Sequence, residues 1–176
     1  MPEEMVEVIS HLAWDTVTLG ATDLTASFFA EQLGGGSPAK TSLQTNMEDV
    51  GKFPANCAFR IHAFRIAFYP DVIAATVVKG MKGYVEFWIS QKTYLESPIF
   101  FKCGGSGLFI NSGDSSAGTT EYGQLGAPVQ QSVYALKKPI PIEKGQNFAA
   151  KMTWGVAPTA MSILFGMDGE LIRSIQ

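Results

Sequence analysis

Histidine and cysteine are scarce in this chain, and neither gathers into a cluster. His11 and His62 are the only histidines among 176 residues, and Cys57 and Cys103 the only cysteines. A protein zinc site takes three or four ligands from Cys, His and carboxylates. No such set is visible, nor the grouped histidines of a metal-binding β-barrel, so neither a metal nor any other cofactor is expected. Nucleophilic catalysis needs a base within reach of the nucleophile. Gly105-Ser106-Gly107 also lacks the longer Gly-x-Ser-x-Gly elbow. The chain therefore reads as a protein without catalytic residues, not an enzyme.

Charge is also in short supply. Asp, Glu, Lys and Arg make up 16% of the chain, against about 25% in an average soluble domain. Net charge is −3, and the densest basic spots are the pairs Lys79 with Lys82 and Lys137 with Lys138. Displacing counterions from a nucleic acid needs a basic stripe, so no direct nucleic-acid binding is expected. A surface poor in charge suits one that neighbours cover. Long apolar runs are absent too: the longest, Phe59 to Phe68, is broken by Arg60, His62 and Arg65. A membrane span needs roughly 20 apolar residues. The start, Met1-Pro2-Glu3-Glu4-Met5, is acidic where a secretory signal is basic. Synthesis in a cytoplasm as a soluble protein is expected.

Some local patterns resemble sites without meeting their requirements. Asp114-Ser115-Ser116-Ala117-Gly118 has neither the lysine of a phosphate loop nor the alternating acids of a calcium loop. Glu48-Asp49 and the pair Asp168 and Glu170 sit at expected turns, with no defined separation for glycosidase chemistry. Cys57 and Cys103 follow no metal or redox spacing. Two free buried thiols, or a bridge within or between subunits, both remain open.

What is plentiful is punctuation. The chain holds 18 glycines and 9 prolines, and the segments between them are short and rich in β-branched and aromatic residues. That pattern predicts an all-β sandwich or barrel of about eight to ten strands. Val6 to Leu19 offers one long or two short strands, and Ser27 to Leu33 a second candidate before Gly34-Gly35-Gly36-Ser37-Pro38 breaks it. Cys57 to Tyr69 is a strong strand whose apolar parity switches from Phe59 and Ile61 to Phe64, Ile66 and Phe68. A bulge near His62-Ala63 accounts for the switch. One helix is predicted over Val72 to Lys79, capped by Asp71 and ended by Gly80. Tyr84 to Ser90 alternates cleanly, with Val85, Phe87 and Ile89 on one face and Tyr84, Glu86 and Trp88 on the other. Ile99 to Lys102 reads as a short strand. Residues 103–127 hold seven glycines and read as a long loop with a short strand at Leu108-Phe109-Ile110. Prolines 139 and 141 mark an edge or bent strand. Glu143-Lys144-Gly145-Gln146 reads as a hairpin turn, after which Phe148, Ala150, Met152 and Trp154 share a face. Met167-Asp168-Gly169-Glu170 reads as a hairpin between Ser162 to Phe165 and Leu171 to Ile175. No repeat or linker divides the chain, so residues 1–176 read as a single domain.

The order of several motifs resembles a known family. Thr45-Asn46-Met47 is followed by Gly51-x-x-Pro54 and a long strand with Phe59-Arg60-Ile61. Leu95-Glu96-Ser97-Pro98-Ile99 precedes Gly104-Gly105-Ser106-Gly107-Leu108. Then come Leu136-x-x-Pro139-Ile140-x-Ile142-x-x-Gly145-Gln146-x-Phe148 and the closing Asp168-Gly169-Glu170-Leu171-Ile172-Arg173. The layout, from about Thr45 onward, is similar to the small major capsid proteins of tailless, membrane-containing icosahedral double-stranded DNA phages. It resembles the smaller of the two capsid proteins in their thermophilic members. The resemblance implies a single jelly-roll β-barrel of antiparallel strands with one short helix. It implies a structural virion protein that packs with copies of itself and a second, larger capsid protein, over an internal membrane that it touches at most indirectly. Trp14, Phe28, Phe29, Tyr84, Trp88, Tyr122 and Leu125 are the candidate subunit contacts, and the glycine-rich stretch after Cys103 a candidate contact segment. The competing readings are a carbohydrate-binding β-sandwich module, which needs an exposed aromatic platform, and a β-barrel enzyme.

Overall fold

The structure, a computed structural model, describes residues 5–68, 74–102, 108–110, 123–125 and 134–174. Its strands are β1 (Val6–Leu19), β2 (Thr25–Phe28), β3 (Cys57–Phe68), β4 (Tyr84–Ile89), β5 (Lys92–Pro98), β6 (Leu108–Ile110), β7 (Gly123–Leu125), β8 (Tyr134–Ile142), β9 (Phe148–Thr153) and β10 (Met161–Ser174). The helices are α1 (Ala74–Met81) and the single turn α2 (Ile99–Lys102).

Two four-stranded sheets carry the fold, one in the order β1-β10-β3-β8 and the other β2-β9-β4-β5. The short pair β6-β7 stands apart within the connection from β5 to β8. The pairings β1 with β10, β2 with β9, β3 with β8 and β4 with β5 are all antiparallel. They nest around the β4–β5 turn, so the chain runs out through one set of strands and back through their partners. Wrapping such a nested ribbon into two facing sheets gives a jelly roll. The expected all-β jelly roll is the observed fold.

Period-two alternation explains why these segments become strands. Phe148, Ala150 and Met152 of β9 are buried while Ala149, Lys151 and Thr153 are not. Val85, Phe87 and Ile89 of β4 point inward as expected. The two inner faces meet through aromatic rings. Phe165 of β10 lies 5.7 Å from Phe28, 5.7 Å from Phe64 and 6.2 Å from Phe87, centroid to centroid. Each fully buried side chain of this size contributes about 1.5–3 kcal/mol relative to exposure.

The bulge in β3 falls where parity placed it. Asp168 pairs with Ala63 and Gly169 with Ile61, leaving His62 as the extra residue, and the partner register against β8 shifts at the same point. Five other expectations change. The strand expected over Ser27 to Leu33 is β2, which begins at Thr25 and ends at Phe28. Met167 to Glu170 is no hairpin; it lies inside the fourteen-residue β10, paired on both sides. Ile99 to Lys102 is a helical turn and not a strand. Gly80 lies within α1 instead of ending it, where a Cβ would stand 2.6 Å from the Phe68 ring. Asp71, its expected cap, is outside the described residues. Glu143 to Gln146 does turn, closed by Gln146 N–H to the Glu143 carbonyl at 3.1 Å. It connects strands of different sheets, though, and so is not a hairpin.

Candidate functional site

Three surfaces present functional groups: the outer faces of the two sheets and the edge of β1. On the first sheet a polar stripe crosses β3 and β10. Arg60 Nη1 and His62 Nε2 reach the same Glu170 Oε2 at 3.3 and 3.4 Å, and Arg65 pairs with Asp168 at 2.5 Å. His62 lies on this outer side with Arg60, two residues before it. All five groups are partly exposed, so each pair adds little to stability. Trp14 of β1 is half-buried beside the stripe's strands.

On the second sheet Tyr84, Glu86 and Trp88 project outward from β4, each half-buried. Cross-strand neighbours are Thr153, Lys151 and Ala149 of β9. The Tyr84 hydroxyl donates to Glu96 Oε1 at 2.6 Å. That hydrogen bond, reinforced by desolvation and by the charges of Glu96 and Glu86, pushes the phenol up to about 12. Trp88 borders a shallow cleft of about 370 Å³ lined also by Ser27, Lys52, Asn147 and Lys151.

The β1 edge is partly covered by the segment that links β2 to β3. Thr16 N–H donates to the Gln44 carbonyl at 2.7 Å, and Asn46 N–H donates to the Trp14 carbonyl at 3.4 Å. The Asn46 side chain then imitates a strand. Its Oδ1 accepts from Trp14 N–H at 2.9 Å and its Nδ2 donates to the Leu12 carbonyl at 2.7 Å. A buried ion pair anchors the same segment. Asp15 Oδ1 receives Lys40 Nζ at 2.6 Å while Oδ2 accepts Phe29 N–H at 2.6 Å. Asp15 is fully buried. Burial holds its carboxyl above the usual carboxylate range, against the opposing pull of Lys40 and the Phe29 N–H. Cover by this segment explains the mixed faces of β1: Thr16 lies on the outer parity yet is buried.

Outside the β3–β10 stripe, the titratable groups of the described residues do not converge on one point. His11 stands edge-on to Phe59 at 6.1 Å and 3.4 Å from Asn46 Nδ2, and burial lowers its pKa. His62 is on the opposite face of the sheet. Cys57 is a buried free thiol, and Cys103 is outside the described residues. Among the described residues no group of three metal-ligating side chains occurs, and no helix is long and apolar enough to cross a membrane.

The candidate contacts divide. Trp14, Tyr84 and Trp88 lie on outer faces. Phe28 and Phe29 do not, each being 1% exposed in the core. Neighbours on a strand ordinarily face opposite ways. Here Phe28 points inward from β2, and the positive φ of 61° at Phe29 breaks the alternation and sends the second ring inward too. Tyr122 is outside the described residues, as is most of the glycine-rich contact segment; of Leu125 only the backbone, in β7, is described. Sequence reasoning missed Asp15, Lys40 and Asn46. One signal was present: Asp15 shares the inward parity of Ala13, Val17 and Leu19, and a carboxylate there requires a partner. No family model, curated protein or solved structure matches this chain.

Proposed function

We propose that this chain is a structural subunit of an icosahedral viral shell, packing with copies of itself and with a second capsid protein around an internal membrane and a DNA genome. One observation carries the reading: the nested order β1-β10-β3-β8 against β2-β9-β4-β5, the path that the motif layout implied. A jelly roll leaves two broad faces and two loop ends for repeated contacts. Fold analogy alone does not assign a function, but apolar side chains at both loop ends add support. Leu24 and Val156 are exposed at one end, and Met5, Val6 and Val50 at the other. The function is mechanical, and the finished protein resides in the virion after assembly in a host cytoplasm. Electron microscopy of the purified protein, alone and co-expressed with products of adjacent genes, tests this. Ordered sheets or closed shells are expected. A particle-free monomer under every condition overturns it.

A second reading, a carbohydrate-binding module, is favoured by Trp88 beside the cleft with Ser27, Lys52, Asn147 and Lys151. An indole face flanked by hydrogen-bonding groups suits a sugar ring. Retention on immobilised polysaccharide, lost in Trp88→Ala, supports this reading over the first.

A further inference from the structure

We infer that two copies of this chain join edge to edge through β1, in antiparallel register with the two-fold axis at Val8. The inference deepens the shell-subunit reading and rests on it for its role, since it names the first step of self-assembly.

Backbone direction comes first. The groups of β1 already used by the covering segment are Thr16 N–H, Trp14 N–H and C=O, and Leu12 C=O. Even-numbered residues therefore point their backbone groups away from β10, and antiparallel alternation extends this to Ser10, Val8 and Val6. Cover ends at Leu12. Among the described residues nothing pairs with the outward groups of Val6, Val8 and Ser10, although this half of β1 is held firmly by β10 from Val6–Ser174 to Ser10–Glu170.

Unpaired edges invite strand addition, and proteins ordinarily guard them. The other three edge strands of the two four-stranded sheets are guarded. β8 carries Pro139 and Pro141 with Lys137 and Lys138, β2 is four residues long, and β5 has a register shift opposite Phe87 and Trp88 and ends in Pro98. Val6-Glu7-Val8-Ile9-Ser10 has no Pro, no Lys and no bulge, and its outward-facing Val6 and Val8 are 53% and 54% exposed.

Only one register fits a second copy. The free stretch is Val6 to Ser10, and its centre is Val8. An axis at Val8 sets Val8 against Val8 and Val6 against Ser10, so every outward N–H and C=O of the stretch finds a partner. Moving the axis to Glu7 stacks two like carboxylates directly opposite, which is destabilising. Moving it to Ile9 drives Val6 of one copy onto Leu12 of the other, where the Asn46 side chain already sits. At the Val8 register Glu7 faces Ile9, and its carboxylate stays on Arg173 of its own chain. The four-stranded sheets of two copies become one continuous sheet, and the isologous contact closes on itself.

Sedimentation equilibrium of the full chain tests the association, and a cysteine scan tests the register. The parent is expected to dimerise. Val8→Lys, which sets two ammonium groups face to face, and Val8→Pro, which removes the central donor at a position where an edge strand tolerates proline, are expected to be monomers with the parent's circular dichroism. Under mild oxidation Val8→Cys is expected to give a disulfide-linked dimer in far higher yield than Glu7→Cys, Ile9→Cys or the parent. A parent that stays monomeric at all concentrations, or a dimer that Val8→Lys leaves intact, overturns the inference; should Val8→Pro fail to fold, Val8→Lys decides. Strongest cross-linking at position 7 or 9 overturns the register. A β1 dimer that never forms shells removes the shell reading alone, and shells formed normally by Val8→Lys remove this inference alone.

Discussion

Asp15 is tightly constrained, because one buried carboxylate receives both Lys40 and the Phe29 N–H. Its folded pKa is raised, chiefly by desolvation. The native state therefore holds this proton more tightly than the unfolded chain does. The stability that follows is fully present below the ordinary carboxylate pKa and is lost as pH rises through the raised value. Denaturant unfolding of parent and Asp15→Asn across that range should show the parent's advantage over the variant shrinking as pH rises. An advantage that grows with pH would contradict the assignment. Gly169 imposes a different constraint. A Cβ there would stand 2.1 Å from the Arg60 carbonyl oxygen, and backbone on both sides of a central strand cannot give way. Gly169→Ala should lower stability by about 3 kcal/mol, the upper end for overpacking, read as a drop in denaturant midpoint at constant slope. Tyr84 offers a third check. Its phenol is held at about 12 mainly by the hydrogen bond to Glu96, so Glu96→Gln should return its absorbance titration towards 10.0, isolated by difference from Tyr84→Phe.

Between elements, the segment from Thr41 to Met47 does for β1 what a neighbouring strand would do. Asn46 supplies an amide in place of a peptide group, answering Trp14 N–H and the Leu12 carbonyl together. Asn46→Ala leaves both without that partner and should cost about 1–3 kcal/mol, with hydrogen exchange accelerating at Trp14 more than at strands of the second sheet. Uniform acceleration across both sheets would sink the claim that Asn46 acts as a local edge cover. No pattern in the sequence announces this contact, since it joins residues far apart in the chain and uses one asparagine in an otherwise polar excursion. The elements themselves were legible where one physical cue dominated. β4 and β9 alternate without interruption, and the bulge of β3 shows as a switch of parity between Ile61 and Phe64. Legibility failed where a local cue competed with a tertiary one. Asp168-Gly169 has the chemistry of a tight turn, yet β1 and β3 both pair through it and keep it extended. Ile99 and its neighbours form a short apolar run, for which periodicity does not separate strand from helix. Outward aromatics were readable at Tyr84 and Trp88 because alternation placed them, and were misplaced at Phe28-Phe29 because a positive φ breaks alternation where no glycine marks it.

Taken whole, the molecule is two sheets that cannot be stable apart, because each supplies half of a single aromatic layer. Phe165 and Phe64 come from one sheet and Phe28 and Phe87 from the other, while Phe29, just beyond β2, packs edge-on at 5.1 Å to Phe148 and 6.0 Å to Phe165. Phe165 sits on β10, itself central in its sheet, so its ring links both layers at the middle of the fold. Phe165→Ala removes that link and leaves a cavity that neighbouring rings fill only in part, a change expected to cost about 3–5 kcal/mol. Cooperativity is the sharper readout. Trp14 reports on the first sheet and Trp88 on the second, so variants that keep only one of these two, with Trp154 replaced as well, give each sheet its own fluorescence signal. If the shared aromatic layer couples the sheets, both signals should move through one transition with the same midpoint, as two-state unfolding requires. That coincidence should persist in Phe165→Ala at a lower midpoint, because Phe28, Phe64 and Phe87 still meet across the interface. Two separated midpoints in the otherwise native protein would mean that each sheet holds its own core, and that the aromatic layer is contact without coupling.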